Sequence, residues 1–120
     1  MYPKELVRGT LTTLILQVLQ DHGRMYGYEI AQKVKTISQD KILIKEGSLY
    51  PILHKLEAEG HLTVEKVALG KRIRKYYTLT EAGKQEVHHQ VRQLLDFMST
   101  LTHFLGNGPL DAGISPLPAL

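Results

Sequence analysis

Residues 47–60 read Gly-Ser-Leu-Tyr-Pro-Ile-Leu-His-Lys-Leu-Glu-Ala-Glu-Gly, and no other segment constrains the fold as tightly. Pro51 forbids a helix interior, because proline lacks an N–H and its ring crowds the carbonyl four residues back. In a first turn the missing N–H costs nothing, since those donors have no intrahelical partner. The segment therefore predicts a short helix that starts at Ser48, with the serine hydroxyl as N-cap, and stops at Gly60. Leu49, Ile52, Leu53 and Leu56 form its buried stripe and leave Tyr50, His54, Lys55 and Glu57 on the outer face.

Two strands follow, over 61–67 and 72–79. Leu62 and Val64, then Ile73, Tyr77 and Leu79, alternate with polar neighbours. Gly70 sits in the connecting turn, where positive φ is often required. Lys66, Lys71, Arg72, Arg74 and Lys75 all lie on this hairpin, with no acidic residue between 66 and 75. Beyond Gln85 the only Lys or Arg is Arg92, so the distribution of charge says more than the net +3. Read alone, such a run is equally a solvated face. Directly after a short amphipathic helix it completes the layout of a winged helix-turn-helix, in which a helix enters a DNA groove and a hairpin lies on the backbone.

The flanking segments are helical. Residues 3–21 carry Leu6, Leu11, Leu14, Ile15, Val18 and Leu19 at helical spacing, and Val7 and Leu16 widen the apolar surface beyond one stripe. A helix with two apolar faces packs against two things, here its own core and a second subunit. Residues 24–28 read as a turn and 28–37 as a second helix. The connector over 38–46 contains Ile42-Leu43-Ile44, which offers a brief strand against the hairpin. Thr80 caps a last helix over 81–105. Its positions Val87, Val91, Leu94, Met98, Leu101 and Leu105 are spaced 4, 3, 4, 3, 4, a heptad seam too long for so small a domain to cover. The expected fold class is mainly α with a small β-hairpin wing, a winged helix-turn-helix with dimerisation helices at both ends. The expected division is a winged-helix domain over 1–80, a dimerisation helix over 81–105, and a flexible tail over 106–120 rich in Gly and Pro.

The chain has no cysteine, which excludes disulfides, thiolate zinc sites and a cysteine nucleophile. Lys4, Glu5 and Arg8 interrupt any signal-peptide pattern, and no apolar run approaches the roughly 20 residues that span a bilayer. A soluble, cytoplasmic protein without membrane association is expected. His88, His89 and His103 form no i, i+4 pair beside a carboxylate, so no metal site is expected. Ser48 and His54 share one short helix and lack an orienting acid. No catalytic residue, enzyme activity or cofactor is expected.

The chain resembles the PadR family of transcriptional regulators. The resemblance rests on Tyr26-Gly27-Tyr28-Glu29-Ile30, Gly47-Ser48-Leu49-Tyr50-Pro51-Ile52-Leu53, Leu56-Glu57-Ala58-Glu59-Gly60, Lys75-Tyr76-Tyr77 and Leu79-Thr80-Glu81-Ala82-Gly83. It implies a homodimeric repressor of a double-stranded DNA operator, joined through its first and last helices. It also implies a small hydrophobic or aromatic effector near the dimer interface. The single C-terminal helix is similar to that of the shorter subfamily. Tryptophan-lined drug pockets of some members do not carry over, since this chain has no tryptophan.

These readings select the site residues. Ser48, Tyr50, His54 and Lys55 are expected to meet bases or phosphates, and Lys71, Arg72, Arg74 and Lys75 to neutralise phosphates. Tyr50 packing on Pro51 or the core is the alternative. Leu6, Leu16, Val87, Val91, Leu94, Met98, Leu101 and Leu105 are the expected dimer contacts. Phe97, Met98 and Phe104 either fill the dimer core or receive an effector. The rival function is a dimeric winged-helix adaptor acting through protein–protein contacts, which needs no basic wing.

Overall fold

The computed structural model describes residues 1–106. Among them the order is α1 (Lys4–Arg8), α2 (Leu11–His22), β1 (Met25–Tyr26), α3 (Gly27–Ile37), α4 (Glu46–Ala58), β2 (Leu62–Leu69), β3 (Arg72–Leu79) and α5 (Glu81–Phe104). Residues Met1–Val87 form one compact unit, and the remainder of α5 belongs to a second. The tail from residue 107 lies outside the described residues.

The core of the first unit is built by α2, α3, α4 and one face of the sheet. Ile15, Leu16, Ile30, Leu49, Leu53 and Tyr77 are its largest fully buried side chains. The expected single first helix is divided at Gly9-Thr10. Both the N–H and the hydroxyl of Thr10 donate to the Val7 carbonyl, each at 2.8 Å, which closes a tight turn and ends the ladder. Leu16 is wholly buried within its own unit, so it offers no side-chain surface to a partner, contrary to expectation. Leu6, on α1, is 68% exposed.

Helix α4 begins two residues earlier than expected. Lys45 is its N-cap, Glu46 sits in the first turn where a carboxylate favours the positive helix end, and Ser48 is inside the helix rather than capping it. Pro51 is consequently an interior residue, and its missing N–H deprives the Gly47 carbonyl of its helical donor. The helix closes as expected at Gly60, whose φ is +83°. The His61 N–H donates to Leu56 O at 2.8 Å and the Gly60 N–H to Glu57 O at 3.0 Å, the paired bonds of a Schellman ending.

The antiparallel sheet has the order β1-β3-β2. Its third strand is Met25–Tyr26, which had read as a turn, and Ile42-Leu43-Ile44 forms no strand. Those residues follow a sharp bend in which Gln39 and Asp40 take φ of 56° and 66°, and Ile44 docks into the core without pairing. The hairpin turn has two residues, Gly70 at φ +63° and Lys71, closing the Leu69–Arg72 pair.

One junction joins the end of α4 to the start of α5. The Thr80 N–H donates to His61 O at 3.0 Å, and its hydroxyl donates to Gly60 O at 2.7 Å. The same hydroxyl accepts the Gly83 N–H at 2.9 Å, the capping bond expected of it. A Cβ on Gly83 would collide with the His61 carbonyl, so α5 starts here only because residue 83 is glycine. Thr80→Ala is expected to cost about 1–2 kcal/mol through the lost cap. Gly83→Ala is expected to cost about 1–3 kcal/mol despite its better helix propensity. Urea unfolding checks both; a stabilised Gly83→Ala protein would contradict the junction geometry.

Candidate nucleic-acid interface

Helix α4 and the hairpin flank an open cleft of about 600 Å3. Tyr50 and His54 line it from α4, Tyr26 from β1, Tyr28 from the start of α3, and Arg72, Arg74 and Lys75 from β3. Five of the eight sequence-predicted contact residues thus meet in one place. Ser48, Lys55 and Lys71 do not line this cleft. Lys55 and Lys71 are exposed and Ser48 is half-buried.

Tyr50 has a structural role as well. Its ring rests on Gly27, where a Cβ would lie 2.5 Å from the tyrosine Oη. Any side chain at 27 would displace Tyr50, and with it the wall of the cleft. The exposed His54 ring lies 6.4 Å from that of Tyr50.

Strand register decides which way the wing cations point. Side chains alternate along a strand, so Tyr77 in the core puts Arg72, Arg74 and Tyr76 on the opposite face. Burial raises the Tyr77 pKa above its usual 10.0, and the phenol stays neutral at working pH. Lys75 lies directly opposite Lys66, Arg74 opposite Val67 and Arg72 opposite Leu69. Like charges placed opposite each other are unfavourable. No acidic residue lies between 66 and 75 to offset them.

On the outer face, arginine and tyrosine interleave. The Arg24 guanidinium lies 4.0 Å from the Tyr76 ring centroid, and Arg74 lies 3.9 Å from that of Tyr26. The two rings meet edge to face at 5.5 Å. Arg24 also pairs with Glu65 at 2.7 Å, and Arg74 donates to Tyr76 Oη at 3.4 Å. That hydrogen bond is the main cause that holds the Arg74 pKa above its ordinary value, against a smaller lowering by burial. Sequence reasoning gave Arg24 no role, and Tyr26 and Tyr76 entered it among the segments that carry the family resemblance. Their cluster depends on β1 pairing with β3, and a two-residue strand leaves no periodic signal.

Along α5, exposure grows toward the C-terminal end. Val87 is 3% exposed and belongs to the core of the first unit, which corrects its expected place in a dimer contact. Val91 and Leu94 are half-buried. Met98, Leu101 and Leu105 are exposed, as are Phe97 at 56% and Phe104 at 83%. Among the described residues no group of His, Asp or Glu is placed to hold a metal ion, and no helix is long and apolar enough to cross a membrane.

Comparison with known proteins gives this geometry a context. The model of the transcriptional regulator PadR-like family matches residues 15–89. A PadR family transcriptional regulator from Eggerthella lenta superposes with a TM-score of 0.73 at 31% identity, over 87% of this chain and 88% of that one. A transcriptional regulator from Clostridium thermocellum gives 0.76 at 26% identity, over 83% and 97%. Bacillus subtilis PadR in complex with operator DNA gives 0.61 at 36% identity, over 68% of this chain but 46% of that longer one.

The Arg24–Glu65 pair is solvent-exposed, so its contribution to stability is small. A double-mutant cycle of Arg24→Ala and Glu65→Ala is expected to give a coupling below about 1 kcal/mol. A coupling of several kcal/mol in urea unfolding would show that the cluster holds the sheet together.

Proposed function

Because the chain belongs to the PadR-like family of transcriptional regulators, we propose that it acts as a homodimeric repressor whose α4 and wing engage an operator. One observation carries this reading. The α4–wing cleft is bordered by Arg72, Arg74 and Lys75, and Lys66 opposes Lys75 in a hairpin tip without acids. A polyanion relieves that repulsion, and a protein–protein adaptor has no need of it. In this reading Lys71, Arg72, Arg74 and Lys75 neutralise phosphates, which sets affinity and register. Ser48, Tyr50, His54 and Lys55 supply the base and phosphate contacts of α4. Such a regulator acts in the cytoplasm, where the DNA is.

The dimer is supported by exposed apolar side chains on the two terminal helices: Leu6 on α1, and Met98, Leu101 and Phe104 on α5. Leu94 and Val91 continue the same seam. Phe97, Met98 and Phe104 also offer a surface for a hydrophobic or aromatic effector between subunits. An effector releases DNA there only if it prefers a subunit arrangement with the wrong α4 spacing.

Two measurements test this. With Lys71, Arg72, Arg74 and Lys75 all changed to alanine, binding to random duplex should weaken. Its log–log salt slope should fall by about 0.9 for each lost phosphate contact. An unchanged slope would remove the wing from the DNA surface. Separately, Met98→Glu with Leu101→Glu should give monomers in sedimentation velocity at unchanged helical content, because two unpaired charges would be buried at the seam. A persisting dimer would place the contact elsewhere.

A further inference from the structure

A second pocket, of about 330 Å3, lies between the N-terminal segment and the connector before α4. Lys4 and Arg8 reach it from α1, and Lys41 and Lys45 from the connector, with no acidic residue in its lining. None of these four cations has an ion pair among the described residues. Val7, Leu11 and Leu43 give the same pocket apolar walls, and Leu43 is 43% exposed. The Tyr2 N–H donates to Lys41 O at 3.3 Å and so ties the two sides together.

Each feature alone is ordinary. Exposed lysines are usually solvated, and single exposed leucines need no explanation. Their combination in a concave site of ligand-binding size selects a particular chemistry. A DNA phosphate uses the cations and has no use for the apolar walls. A neutral apolar molecule uses the walls and gains nothing from four cations. We propose that this pocket binds an amphipathic organic anion, a carboxylate on a short apolar body. Lys41 and Lys45 border it on the connector side and Ser48 lies beside them, so the carboxylate sits against these cations and the apolar body against Val7, Leu11 and Leu43. Binding of this anion to the free chain needs no DNA.

The test titrates octanoate, 1-octanol and inorganic phosphate into the full chain by calorimetry, with amide NMR shifts to locate the site. Octanoate is expected to bind one site per chain, shifting residues 41–45 and Val7. Octanol and phosphate should each bind at least tenfold more weakly. Lys41→Gln with Lys45→Gln, and separately Leu43→Asp, should each weaken octanoate at least tenfold while leaving the remaining amide spectrum folded. Absence of octanoate binding, equal binding of octanol, shifts confined to α5, or unchanged affinity in both variants would overturn the proposal. So would loss of duplex salt slope in Lys41→Gln/Lys45→Gln without octanoate binding to the parent chain, which would assign these cations to DNA.

Discussion

The alternation of side chains along β3 sets the terms for everything around it. Tyr77 is fully buried on the middle strand, paired with Met25 on one side and Val64 on the other. With that residue fixed, Arg74 and Tyr76 must face outward and Lys75 must face the α4 side, because a slip of one residue would reverse them all. The same register pairs Met25 with Tyr77 and Tyr26 with Tyr76, so the short β1 is buried on one side and stacks aromatic rings on the other. One packing decision in the core therefore orients the cations of the wing.

The core also carries α4 and the start of α5. Leu49, Leu53 and Leu56 anchor α4, which leaves His54 and Lys55 exposed. The end of α4 then meets the start of α5 through Gly60, His61, Thr80 and Gly83. Those bonds satisfy backbone groups that helix ends otherwise leave orphaned. Glycine recurs at this junction for two separate reasons. Gly60 supplies a left-handed φ, and Gly83 supplies the absence of a Cβ against the His61 carbonyl. The Leu-Thr-Glu-Ala-Gly segment is thus explained by geometry.

Long periodic segments were readable from sequence because burial imposes their spacing. The hairpin, the α5 helix and the Thr80 cap follow from alternation, helical periodicity and a hydroxyl in the right place. Where reading failed, a local contact outweighed periodicity. Thr10 folds back on Val7 and divides a helix whose apolar pattern runs straight through. Ser48 looks like a cap, yet the backbone of Lys45 already accepts the first helical bonds, so α4 starts early. Leu16 and Val87 match interface spacing, but spacing cannot tell which neighbour covers a residue. The Arg24, Tyr26 and Tyr76 cluster needs strand pairing across about fifty residues of chain, which no local pattern encodes.

We propose that α4 and the wing form one DNA-facing surface on a scaffold set by β3. Amide hydrogen exchange of the full chain, with and without saturating duplex, tests it most directly. The account predicts slowed exchange in the first half of α4 and across residues 66–75, with α2 unchanged. Protection that falls on α1 and α5 while the wing stays as open as in the free protein would contradict it.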